Sequence, residues 1–121
     1  ALRAAGVNVA GGADNLQDPF NTVGRADPME TAALLVMAGH LDPVDAYELV
    51  AHGARRAMGL EPVDVAVGSP AELLAIDAST VREAIASAPG TRRVFHEGRL
   101  VAATDVVVHI AGARDDATVT S

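Results

Sequence analysis

The chain has 121 residues, one domain's worth, and a formal charge of −7, an acidic balance that argues against nucleic acid and anionic membranes as partners. Half of it is hydrophobic, which excludes disorder by composition, yet it holds only two Phe, one Tyr and no Trp, so Ala and Val must fill much of the core. It has no cysteine, which excludes disulfides and thiolate metal sites, and no apolar run approaches the ~20 residues that span a bilayer.

The first residues carry no charged-then-apolar leader pattern. Residues 2–5 read as the last turn of a helix with Gly6 as its C-cap, so the chain opens like a piece of something longer. Residues 7–10 form a short apolar run that reads as a strand. Gly11 and Gly12 end it and permit backbone angles closed to other residues. The loop that follows concentrates Asp14, Asn15 and Asp18, then Pro19 and the aromatic Phe20. Such residues also make ordinary turns, but carboxylates in a loop just past a strand are well placed for chemistry.

Asp27-Pro28-Met29-Glu30 is a helix start: Asp27 can cap, Pro28 suits the first helical position and Glu30 can close a capping box. This first helix should run to Gly39. It is apolar nearly all round, which predicts burial on most sides. Asp42-Pro43 repeats the start signal for a second helix ending at Gly59. Its apolar face is Ala46, Leu49, Val50, Gly53, Ala54, Ala57 and Met58, and Arg55 and Arg56 suit the negative end of the helix dipole.

After Pro62 the pattern changes. Residues 63–67 alternate and read as a strand, 68–70 as a turn, and 73–76 as another strand. Thr80 and Glu83 form a capping-box pattern for a short helix ending near Ala88. Residues 92–96 and 99–103 read as a hairpin around Glu97-Gly98. Residues 106–110 read as a last strand, and 113–121 as a polar, frayed tail.

Asp14-Asn15-Leu16-Gln17-Asp18-Pro19-Phe20 with Val23-Gly24-Arg25-Ala26-Asp27 resembles the C-terminal part of cytosine deaminase-like enzymes of the metal-dependent amidohydrolase superfamily. The segment from His52 to Leu60, the Ala71–Asp77 stretch and the Gly98-Arg99-Leu100-Val101 turn are similar to the family's barrel-closing helix and small β-domain. The resemblance covers nearly the whole chain. It implies an α/β fold: residues 1–60 as the last strand–helix units of a (β/α)₈ TIM-type barrel, and residues 61–112 as part of a small β-domain. A complete barrel takes about 250 residues, with its active site at the C-terminal ends of the strands.

By the same resemblance, Asp14 is catalytic and binds one divalent metal ion, zinc or iron. Asn15 and Phe20 border the substrate, where the family often has a second acidic residue and a Trp. The implied activity is metal-dependent hydrolysis of a non-peptide C–N bond of a small nitrogen heterocycle, in a cytoplasmic, oligomeric enzyme. The family's further histidine ligands have no counterpart here. His40 and His52 read as surface or boundary residues, His96 and His109 lie on predicted strands, and no two have the spacing of a ligand pair. The chain alone is therefore expected to be inactive and to bind no metal tightly, its partners being the remainder of the barrel and another copy of itself. Two other readings stand beside this one. The first is a non-catalytic scaffold or oligomerisation domain. The second is a small cation-binding module on Asp14, Asn15 and Asp18, which lacks the spaced oxygen pattern of an EF-hand.

Overall fold

The structure is a computed structural model and describes residues 2–110; the expected tail at 113–121 lies outside them. A single 3-10 turn, Arg3–Ala5, opens the chain and closes on Gly6, whose φ of 77° only glycine adopts freely. Three helical segments follow: α1 (Pro28–Met37), α2 (Pro43–Glu48) and α3 (Ala54–Ala57). Then come β1 (Leu73–Ile76), α4 (Val81–Ser87), β2 (Arg92–His96) and β3 (Arg99–Thr104).

The caps are where the residue types place them. Asp27 Oδ1 accepts from the Met29 N–H at 3.0 Å and Asp42 Oδ1 from the Val44 N–H at 2.9 Å, each with proline next in the chain. Thr80 Oγ1 accepts from Glu83 N–H at 3.1 Å, and Glu83 Oε2 from Ser79 N–H at 2.9 Å. Each cap satisfies an amide that the helix leaves unbonded, worth about 1 kcal/mol. The capping box expected at Glu30 is half-formed: Glu30 turns to Arg25, 3.4 Å away, in place of the backbone.

The second helix departs from its expected pattern. α2 and α3 are joined without a break by a π turn, Leu49–Gly53. A π turn adds one residue to the cycle and rotates everything after it by about 100°. Ala46, Leu49, Val50 and Gly53 are buried as the spacing predicts, whereas Ala57 and Met58 are carried to the exposed side.

The core lies between these helices and α4. Met29, Ala32, Ala46, Val50, Ala84 and Ile85 form one buried cluster, with α4 packed on both α1 and α2. Ala32 and Ala46 are completely buried, so the helices meet over methyl groups, as the scarcity of aromatics implies. Burial of Met29 and Ile85 contributes about 1.5–3 kcal/mol each. α1 is covered on one side only: Leu34 and Met37 remain exposed.

The sheet is antiparallel in the order β1-β2-β3, with Leu73 opposite Phe95 and a register irregularity at Val94/Phe95. Glu97 and Gly98 both have positive φ, 49° and 76°, the backbone of a two-residue hairpin turn whose twist matches its strands. The sheet is tied to the helices by Arg92. Its guanidinium donates to Asp27 Oδ2 and to Pro89 O, both at 2.8 Å.

Three expected strands are not formed. Residues 7–10, 63–67 and 106–110 have no ladder partner among the described residues and are irregular. Val65 and Val67 stand fully exposed, as do Val107 and Val108 for the most part. Alternation can mark a segment as fit for a strand, but strand structure exists only when a neighbour takes up its N–H and C=O groups.

Candidate functional site

The Gly11–Asp27 loop carries all three residues singled out for chemistry. Its root is fixed to the π turn. Gly11 N–H donates to Leu49 O at 3.0 Å, and Asn8 Nδ2 donates to Gly53 O at 3.2 Å. Gly11 and Gly53 make this approach possible. A Cβ on Gly11 would lie 2.9 Å from a Leu35 methyl, and one on Gly53 would lie 2.6 Å from Val9 O.

Beyond its root the loop folds on itself. Asp18 Oδ1 accepts from the N–H groups of Phe20 and Asn21, both at 2.9 Å. Asn21 Nδ2 in turn donates to Asn15 O at 3.2 Å. That bond brings the two limbs of the loop together at Asn15 and Asn21, the residues next in the chain to Asp14 and Phe20. Gly24 is buried in the fold, and any Cβ there would overlap Asn15 O and the Asn21 side chain.

Asp14 is exposed, and no described residue bonds its carboxylate. Asn15 is half-buried and contributes its carbonyl to the loop. The Phe20 side chain is 90 % exposed, so it does not plug the base of the loop. Asp18 spends one carboxylate oxygen on the loop's own backbone, the geometry of an Asx turn. Asn21 and Gly24 do as much for the loop as Asp18. An Asp-Pro-x-Asn run with a following glycine is a turn signature from which both roles can be read.

The residues present do not make up a metal site. Among the described residues no group of three or more His, Cys, Asp or Glu side chains converges, and Asp14 offers one solvated carboxylate. One such group binds a divalent ion weakly, because each ion takes four or more ligands.

The histidines are placed elsewhere. His40 has positive φ, 53°, in the turn after α1, which ends at Met37 with Ala38 as its C-cap. His52 Nδ1 lies 2.6 Å from Glu48 Oε2; since a carboxylate only accepts, Nδ1 carries the proton. His96, at the end of β2, bonds Glu72 Oε2 at 2.8 Å. That bond raises the His96 pKa above its ordinary value and lowers the Glu72 carboxyl, which also accepts from Glu97 N–H. His109 lies in the irregular segment after β3.

A cleft of about 510 Å³ opens between the second helix and the sheet, lined in part by Tyr47, His52, Arg55, Asp64 and Glu72. None of Asp14, Asn15 and Phe20 reaches it. Its two best-placed ionisable groups are already engaged, His52 with Glu48 and Glu72 with His96. Size alone therefore does not make it the reacting site, and the loop remains the stronger candidate.

No family model matches the chain. A pterin deaminase of Rhizobium rhizogenes is 34% identical to it over 103 residues, which are 83% of this chain and 24% of that enzyme. Among solved structures, N-isopropylammelide isopropylaminohydrolase from Burkholderia multivorans matches with a TM-score of 0.76 and 35% identity. That match covers 88% of this chain and 28% of the other. 5-Methylcytosine deaminase from Klebsiella pneumoniae, liganded with phosphonocytosine, matches with a TM-score of 0.72 and 26% identity over 90% of this chain and 28% of its own. The chain thus spans about a quarter of the length of the relatives it matches, as a C-terminal part of such an enzyme would. Sequence and structural likeness agree, and the chain is similar over most of its length to a part of enzymes of the amidohydrolase superfamily.

Proposed function

We propose that this chain is the C-terminal part of a hydrolase that cleaves a non-peptide C–N bond of a small nitrogen heterocycle, with cytosine-like aminopyrimidines as the leading substrates. The observation that carries the reading is the self-bonded loop that presents a free Asp14 carboxylate beside Asn15 and an uncovered Phe20 ring. It stands in a chain similar to enzymes named for taking amines from pterin, ammelide and cytosine rings.

In this reading the Asp14 carboxylate accepts a proton from the attacking water as its oxygen bonds to the ring carbon. The C–N bond then breaks, the proton passes to the departing nitrogen, and ammonia or a primary amine leaves. A group that moves a proton in the transition state contributes typically ~10²–10⁴-fold to the rate. Phe20 offers a flat face to a planar ring, and Asn15 offers an amide that can pair with ring nitrogens or exocyclic groups. Asp14 is also the one ligand this chain would bring to a zinc or iron ion, the others coming from the remainder of the barrel. When bound, such an ion supplies a water acidified towards neutrality. Leu34 and Met37, apolar and uncovered here, suit the barrel's remaining helices or a second copy of the enzyme.

The test is release of ammonia or amine from cytosine, a pterin and N-isopropylammelide by the complete enzyme that carries this chain. Turnover on at least one of these rings supports the reading. A folded, metal-loaded enzyme that releases no amine from any of them contradicts it and favours a scaffold role.

A further inference from the structure

The π turn in the second helix has a second connection to the loop. Asn8, three residues before Gly11, donates from Nδ2 to Gly53 O at 3.2 Å and accepts at Oδ1 from Arg56 Nε–H at 3.1 Å. Arg56 Nη2 donates to Glu48 Oε1 at 3.0 Å, and the other oxygen of that carboxylate accepts from His52 Nδ1–H at 2.6 Å. The Glu48 carboxylate, just before the π turn, thus joins His52 within the turn to Arg56 beyond it, and one asparagine side chain joins that assembly to the loop's root. Glu48 is held below the ordinary carboxylate range, chiefly by its bond to His52, so it remains charged and able to accept both bonds near neutral pH.

The geometry is specific to the π turn. In a regular α-helix residues 48 and 56 lie more than two turns apart, about 12 Å along the axis. The reach of a Glu and an Arg closes that distance, while the extra residue of the π turn sets the rotation at which they meet. The same turn directs Leu49 O outward to Gly11 N–H and brings Gly53 so close to Val9 that no side chain fits. π turns occur often at functional sites, and here the Leu49 and Gly53 carbonyls of the turn accept from Gly11 and Asn8, at the root of the loop.

We propose that the Asn8–Arg56–Glu48–His52 network is a mount that sets the direction in which the Asp14 loop leaves the helical layer. Asn8 and Glu48 are accordingly positioning residues for the hydrolytic reaction. They touch neither the loop tip nor the substrate, and they act by fixing residues 8–11. A displacement of about 1 Å at the reacting carboxylate is enough to cost up to ~10²-fold in rate. The proposal rests on the assignment of Asp14 made above for its kinetic part, but the mounting itself is a statement about residues 8–11 alone.

The experiment compares Asn8→Ala, Asn8→Asp, Glu48→Ala and Glu48→Gln in the complete enzyme carrying this chain. Four quantities are measured: kcat and KM for amine release, the melting temperature, and hydrogen exchange of the Gly11 amide. Asn8→Ala and Glu48→Ala are expected to lower kcat by about 10- to 10²-fold with KM changed less than about twofold. The Gly11 amide should exchange about five- to tenfold faster, while the melting temperature changes little. Asn8→Asp keeps an acceptor for Arg56, and Glu48→Gln keeps one for His52, so each should recover part of the lost kcat. Unchanged Gly11 exchange in both alanine variants overturns the mount, whatever happens to turnover. So does equal loss of kcat in the alanine and conservative variants with an equal fall in melting temperature. If the parent enzyme itself releases no amine, the functional assignment falls, and Gly11 exchange still decides on the mount.

Discussion

The hairpin and the Gly11–Asp27 loop are built by opposite means. The hairpin is built mainly from near neighbours: β2 and β3 pair across Glu97 and Gly98, and β1 with Glu72 adds bonds to β2 and the turn. The loop has local bonds at its tip, but its root hangs on Leu49, Gly53 and Arg56, more than thirty residues away. Structure made of near neighbours is stable and readable, and here it carries no chemistry. Structure held by distant partners can be aimed, and the candidate catalytic carboxylate sits on it.

That contrast accounts for what the residues disclosed in advance. The caps at Asp27, Asp42 and Thr80, the turn at Glu97-Gly98 and strands β1 to β3 all follow from signals a few residues long. The unformed strands at 7–10, 63–67 and 106–110 failed for lack of a partner, which no local alternation encodes. The π turn was unreadable because one residue inserted into a helix leaves the apolar spacing before it intact. Only Ala57 and Met58 betray it, by standing exposed. Of the loop, the residue types at Asp14, Asn15, Asp18 and Phe20 are legible in the sequence, and the roles of Asp14, Asn15 and Phe20 only through the family resemblance. The bracing of the turn by Asp18, Asn21 and Gly24 shows in the bonds between them, although the Asp-Pro-x-Asn run with a following glycine carries a turn signal for it.

The contrast can be broken at the loop by Gly24→Ala. Its added methyl has no space between Asn15 and Asn21, so the loop must open or shift, at a cost of about 1–3 kcal/mol. Amine release should fall at least tenfold, whereas Gly98→Asn, at a hairpin turn where Asn tolerates positive φ, should leave it unchanged. Kinetics on both variants check this. Equal effects of the two would remove the distinction.

A smaller effect is expected where the two regions meet. Arg92→Ala breaks the bond to Asp27 and frees Pro89 O, in a pair whose side chains are only 21% and 25% exposed. Bonds of this kind contribute roughly 1–2 kcal/mol after the exposed part is discounted. A melting temperature several degrees lower, with an unaltered hairpin register by NMR, is the expected result. No change in melting temperature would mean that the sheet and helices are held by packing alone.

Phe20→Leu should leave the melting temperature within experimental scatter, because Phe20 is 90% exposed among the described residues. KM for planar heterocycles should rise about three- to tenfold if the ring stacks on substrate. A large thermal loss with normal kinetics would assign Phe20 to packing.

The smallest effect belongs to the sheet. His96 has a raised pKa in the fold, so its contribution is complete below its unfolded value of 6.5 and is lost as pH rises through the raised value. Glu72 has a lowered pKa, so its contribution is complete above 4.5 and is lost as pH falls through the lowered value. The pair therefore helps most between pH 4.5 and 6.5. Glu72→Gln should flatten that part of the melting profile slightly, since both side chains are solvated. An unchanged profile would show that the pair contributes nothing.

The most direct test of the account is kcat for amine release by the complete enzyme with Asp14→Asn. The residue is exposed and bonded to no described neighbour, so the fold and melting temperature should be retained. A loss of at least ~10²-fold in kcat on every active heterocycle is expected, the lower bound for a proton-transferring group. A variant that folds normally and keeps kcat within twofold of the parent would contradict the account.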